Sequence, residues 1–304
     1  MKNVAMGLFF FVIAGNCLAQ GLYTRAGLGY AVPQAGQTMD GTATPYSGNR
    51  TNTTIDSVNY TAYSIKNSSF STGIHGILGV GYMFNSHVGV DVSVDMALTP
   101  KEYTYSNSNT LVNNVPSNVQ IIQKANNPVL FIPALVLQSD GARFNLYTRF
   151  GLALPLKTKI TQDQVFTNLP GTGKVETDDY TFTITNKFSL GFTGTAGIGY
   201  KLSDKLCLWG EASFLSLAVY AKEANLTDVT VDGATGYLPQ IPVEQRKIVF
   251  SKEFTSTSND YFHQPTFSQP FSSFSINAGI RYNLGSSRTG NKGKNDVKSR
   301  RMKF

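Results

Sequence analysis

Cysteine is almost missing from this chain of 304 residues, which has two. Cys17 lies in a leader-like N-terminus, and Ala14-Gly15-Asn16 before it fit a lipidation signal poorly. That leaves Cys207 alone downstream, which excludes an intramolecular disulfide and a thiolate metal cluster. Histidine is scarce too: His75, His87 and His263 are the only three. None stands in a His-x-Ser pair on a strand, and no His, Asp or Glu spacing fits a metal, so no enzyme, metal or cofactor is expected. Charged residues make up only 15% of the chain, little for a soluble surface. There is no run of about 18 apolar residues, so no transmembrane helix is expected. The formal charge of +7 is concentrated at the end. Seven lysines and arginines stand against Asp296 between residues 288 and 303, and outside that tail and Lys2 the charges balance. A nucleic-acid binder spreads basic charge over a folded face, so nucleic acid is not an expected partner.

What is present is alternation. In Val88 to Leu98, VGVDVSVDMAL, the residues Val88, Val90, Val92, Val94, Met96 and Leu98 share one face. Gly89, Asp91, Ser93, Asp95 and Ala97 share the other. Period two over this length is a strand, because only a pleated backbone repeats its faces every second residue. A soluble sheet buries the apolar face, whereas a membrane barrel turns it to lipid and keeps the carboxylates inside.

Taken in order, Met1 to Ala19 reads as a secretory signal, with Lys2, an apolar Val4 to Ile13 and the exit Cys17-Leu18-Ala19. Residues 20–284 read as one β-domain and 285–304 as a disordered basic tail. Eight strands are predicted: Leu22–Val32, Thr72–Phe84, Val88–Leu98, Val129–Gln138, Arg143–Leu154, Lys187–Leu202, Lys205–Tyr220 and Phe274–Leu284. Pro33 to Ser71, Thr99 to Asn127, Pro155 to Asn186 and Ala221 to Pro270 are polar and read as long loops. The remaining three connections are short turns. Long and short connections that alternate regularly are the signature of an eight-stranded antiparallel up-and-down transmembrane barrel. Lipid supplies no partner for a backbone N–H, so such a sheet must close. An even strand count puts both ends of the mature chain in the periplasm.

The last strand carries Asn277-x-Gly279-x-x-Tyr282-x-Leu284. This resembles the terminal signal of bacterial outer-membrane barrels. The chain as far as Leu284 resembles the eight-stranded class of outer membrane protein A and the opacity proteins, without the peptidoglycan-binding domain of the full-length relatives. The resemblance implies a bacterial outer-membrane location and Gly279 and its neighbours as an assembly signal. It implies as partners the barrel-assembly machinery, outer-membrane lipid and lipopolysaccharide.

Inward positions should then hold the charges. A lumen network is expected to join Asp91, Asp95 and Glu211 to Arg25, Arg149 and Arg281, because unpaired charge is too costly in a narrow, side-chain-filled interior. Tyr30, Tyr82, Tyr200 and Tyr282 fall at strand ends on the outward face, where aromatic girdles belong. Tyrosines among Asn, Ser and Thr in the loops suit recognition of an extracellular ligand. The expected role is structural or cell-surface interaction of the adhesion type by a monomer. A small channel and a lipid-modifying enzyme at the rim are the alternatives.

Overall fold

The computed structural model describes residues 21–34, 49–55, 58–64, 67–99, 101–112, 115–168, 175–253, 255 and 262–285. The expected leader, residues 1–19, and the expected tail beyond Gly285 lie outside the described residues. Eight strands close an antiparallel barrel in chain order: β1 (Leu22–Pro33), β2 (Gly73–Met83), β3 (Val88–Ala97), β4 (Val129–Gln138), β5 (Phe144–Lys157), β6 (Gly191–Lys201), β7 (Leu206–Ser216) and β8 (Ser273–Asn283). Closure comes from β1, which pairs with both β2 and β8.

Most large apolar side chains of the barrel strands face outside. On β3, Val90, Val92 and Met96 are exposed while Gly89, Asp91, Ser93 and Ala97 are buried. The same split holds on β5, where Leu146, Phe150 and Leu152 face out and Asn145 and Arg149 face in. β4 is apolar on both faces. Its ladder to β5 breaks at Ile132 and Pro133 and resumes at Ala134↔Gly151 in the same register. A proline has no N–H to donate there.

Three tight turns link β2–β3, β4–β5 and β6–β7 at one end. Asn85 Oδ1 accepts the amides of His87 and Val88, both at 2.8 Å, and the Ser203 hydroxyl accepts that of Leu206 at 3.1 Å. Short side chains with local acceptors are what such turns need.

At the other end the outcome differs from the sequence expectation. Three of the four stretches read as loops carry paired strands. Lys101–Val112, Val115–Ala125, Ile160–Asn168, Thr177–Asn186, Ala218–Val231, Lys247–Ser251 and His263–Pro265 pair into one sheet. Its strands follow the order of the barrel strands from which they rise, so one side of the barrel wall continues past the rim. In the first long connection, Asn49–Ile55 and Val58–Ser64 form a separate hairpin.

The core lies inside this extension. Ile160, Phe182, Ile184, Ala224, Leu226 and Val229 of the sheet pack with Leu130, Ala153 and Leu215 from the barrel rim. Two short segments cross the mouth and place Phe70 and Phe271 at its centre, fully buried, with ring centroids 5.6 Å apart. Phe70 N–H donates to Pro270 O at 2.9 Å and Phe271 N–H to Leu217 O at 3.1 Å. Apolar side chains therefore stop the mouth, and this stopper was not foreseen from the sequence.

Candidate functional site

The lumen is built in rows set by strand register. Tyr23, Gly81 and Asp91 stand side by side across β1, β2 and β3. Tyr147, Gly197 and Glu211 do the same across β5, β6 and β7 on the opposite wall. The next row is Arg25, Gly79 and Ser93 on one side and Arg149, Thr195 and Ser213 on the other. The two halves repeat one arrangement: a tyrosine lies over a glycine, donates to a carboxylate, and an arginine two residues on joins the pair. A Cβ at Gly81 or Gly197 would collide with the ring of Tyr23 or Tyr147. The signal for this was in the sequence, since Leu22 to Leu28 reads LYTRAGL and Leu146 to Leu152 reads LYTRFGL.

Tyr23 Oη donates to Asp91 at 3.0 Å, and Arg25 Nε lies 3.1 Å from the same carboxylate. Arg25 also donates to the Ser93 hydroxyl at 3.1 Å and reaches within 3.7 Å of Glu211. Glu211 is the hub. It accepts from Tyr147 Oη at 2.8 Å, from Arg149 Nη2, and from Asn277 Nδ2 at 3.4 Å. Its side chain is 2% exposed. The Arg25 guanidinium stacks 5.6 Å from the Trp209 ring centroid.

Four of the six expected network residues, Arg25, Asp91, Arg149 and Glu211, thus come together; the other two do not. Asp95 sits nearer the mouth, beyond the arginines, and meets His75 Nδ1 at 2.7 Å. Arg281 is directly opposite Arg25 in register, while Asp91 is held by Arg25 and Glu211 by Arg149. It turns toward the short-turn end, 5.1 Å from the Tyr23 ring, and donates to Gln138 Oε1 at 3.4 Å.

The arginine layer divides what space remains. A cavity of about 20 Å³ lies on the short-turn side, lined by Tyr23, Tyr147, Trp209 and Arg281 among others. Another of about 40 Å³ lies toward the stopper, lined by Asp95, Glu211, Ser213 and Asn277. Arg25 and Arg149 border both. Each holds a few waters at most.

The remaining expected residues keep their sides of the wall. Tyr82 packs edge-on against Phe84 and Tyr200 lies tilted against Phe144, with centroids 5.5 and 5.0 Å apart. Tyr282 and Leu284 are outward and exposed, and so is Tyr30 at the opposite rim. Asn277 and Gly279 point inward, Gly279 against Trp209. His87 lies at a tight turn and meets the Gln138 carbonyl at 3.2 Å. His263 opens the short strand beside Lys247–Ser251. Among the described residues no group of three His, Cys, Asp or Glu could hold a metal ion.

On the outer face of the extension, Asp163, Thr181 and Asp228 align across three strands, with Asp179 one step along. Burial, then repulsion from Asp163 and Asp228, holds the Asp179 carboxyl above the usual carboxylate range. On acidification the folded sheet therefore takes up this proton before the unfolded chain does, and gains stability relative to neutral pH. Asp179→Asn should remove that gain, which hydrogen exchange of residues 177–186 at mildly acidic and neutral pH would measure.

No family model matches the chain. No curated protein matches it either. Among solved structures it matches the crystal structure of Ail, the attachment invasion locus protein of Yersinia pestis, at 14% identity and a TM-score of 0.26, over 86% of this chain and 99% of that chain. The closed eight-stranded barrel rests on its own strand pairings.

Proposed function

We propose that this chain is an integral outer-membrane barrel that works at the cell surface through the sheet above its mouth, with neither chemistry nor steady conduction. The observation that carries the reading is the inversion of the wall. Leu28, Leu78, Val92, Leu135, Phe150, Ile198, Leu208 and Ile276 form an exposed apolar belt around an ionic interior. Water would leave such a belt unstable, whereas hydrocarbon covers it. The tight turns then face the periplasm and the extension faces outward. Tyr82, Tyr200 and Tyr282 form the periplasmic girdle and Tyr30 belongs to the outer one. Asn277, Gly279, Tyr282 and Leu284 serve as the signal read by the assembly machinery.

Just beyond the belt, Lys157, Lys159 and Lys222 are exposed next to the outward Leu156 and Tyr220. Lys252 lies 5.9 Å over the Tyr220 ring. Ammonium groups beside aromatic rings at this level suit the anionic headgroups of lipopolysaccharide. Recognition of a further surface ligand falls to the extension. Its test is attachment of cells displaying the full chain, compared with cells in which the Lys101–Ala125 hairpin is replaced by a short turn. Lost attachment with the barrel still assembled supports the adhesion reading. Unchanged attachment to matrix proteins and glycans removes it. A steady large conductance from the purified protein in planar bilayers would instead establish the channel reading.

A further inference from the structure

We propose that His75 and Asp95 form a proton-operated latch on the segment that stops the barrel mouth. His75 is 5% exposed, and both of its ring nitrogens face acceptors. Nδ1 lies 2.7 Å from Asp95 Oδ1, and Nε2 lies 2.7 Å from the Ser71 carbonyl. A neutral imidazole carries one N–H and can donate to only one of them. Both contacts are hydrogen bonds when the pair holds one proton more than a neutral ring beside a carboxylate, as in an imidazolium between the two acceptors. Removing that proton turns one short contact into acceptor against acceptor.

The Ser71 carbonyl is the point where this matters. It belongs to the same short segment as Phe70, which fills the mouth. Among the described residues that segment is also held by Phe70 N–H donating to Pro270 O, by Tyr103 Oη against Ser69 and Thr72, and by the Phe70 ring packed on Phe271 and Tyr103. The barrel-wall side chain that holds its carbonyl is His75. Directly below lies the cavity lined by Asp95, Glu211 and Asn277, so release of the segment opens this polar space to the outside. Among the described residues the charged and titratable groups around the latch are few. Asp95 comes from β3, Lys101 has its ammonium beside Gly73, and Tyr103 stands over Ser69. Arg25, Arg149 and Glu211 border the cavity below. The register neighbours of His75 on β1 and β3 are Gly29 and Ala97, which carry no charge.

The test is backbone hydrogen exchange of residues 67–72 in the full chain refolded in detergent micelles, from roughly pH 5 to pH 9, a range that brackets ordinary histidine titration. Protection is read relative to intrinsic exchange at each pH. The wild type should lose about tenfold or more in protection at high pH, what one charge-assisted hydrogen bond is worth. Asp95→Asn provides the discriminating variant. Its amide donates to Nδ1 of a neutral ring, which leaves Nε2–H for Ser71, so its protection should stay high across the range. His75→Ala should show low protection at every pH. Flat protection in the wild type overturns the latch, and so does an equal fall in Asp95→Asn. The wild-type profile alone decides the matter if a variant fails to assemble.

Discussion

Replacing Glu211 with alanine is expected to cost the barrel about 3–5 kcal/mol, the usual effect of removing one partner from a buried ion pair. Glu211 accepts from Tyr147, Arg149 and Asn277 and faces Arg25. Arg25 keeps Asp91 when Glu211 is lost, but among the described residues Arg149 keeps no carboxylate, and it is buried at 6% exposure. The cost therefore comes mainly from a stranded guanidinium rather than from a lost attraction. A second variant separates the two causes. Glu211→Leu combined with Arg149→Met removes both charges at similar volume and should recover most of the loss. Urea titration of the refolded protein in micelles gives both values. A cost under about 1 kcal/mol for the single variant, near what an exposed pair is worth, would mean that water reaches this layer.

The second large effect concerns the outer face. Val92→Arg should cost about 2–4 kcal/mol in a bilayer, as for a cation at the midplane on the lipid side of a barrel. Val92 pairs with Val80 and Pro133 in the middle of β3 and is 42% exposed. Val243 is the matched control. It is 71% exposed, on a 3₁₀ turn of the extension, and Val243→Arg should change stability by less than about 0.5 kcal/mol. In water both valines are surface residues, and both substitutions would be tolerated. A large difference between them arises only if hydrocarbon surrounds one and water the other.

The barrel was legible because period-two alternation shows which face each residue takes, and because the tight turns carry their own chemistry in Asn85 and Ser203. Depth along the barrel was less legible. Asp91 and Asp95 share a face and a charge, yet Asp91 meets Arg25 and Asp95 meets His75. The four-residue difference in height decides this, and height depends on register with neighbouring strands. Arg281 departs from the expected network for a related reason: its register neighbour Arg25 holds Asp91, and Arg281 turns to Gln138 instead.

The extension was hidden by its composition. In Thr177–Asn186, TDDYTFTITN, the alternation of Phe182 and Ile184 with Thr181, Thr183 and Thr185 is plain once sought. Polar composition reads as a loop, yet threonine is a good strand former. The paired LYTRAGL and LYTRFGL stretches were equally visible. They place matching tyrosines and arginines on β1 and β5, opposite walls of the lumen.

The most direct measurement is the environment of single spin labels placed in turn at residues 90 to 95 of the protein in lipid vesicles, probed by collision with oxygen and with a water-soluble nickel complex. Labels at 90, 92 and 94 should collide readily with oxygen and hardly with nickel, while those at 91, 93 and 95 should be shielded from oxygen. Ready collision with nickel at 90 and 92, or no alternation along the strand, would contradict a wall that turns its apolar side to lipid.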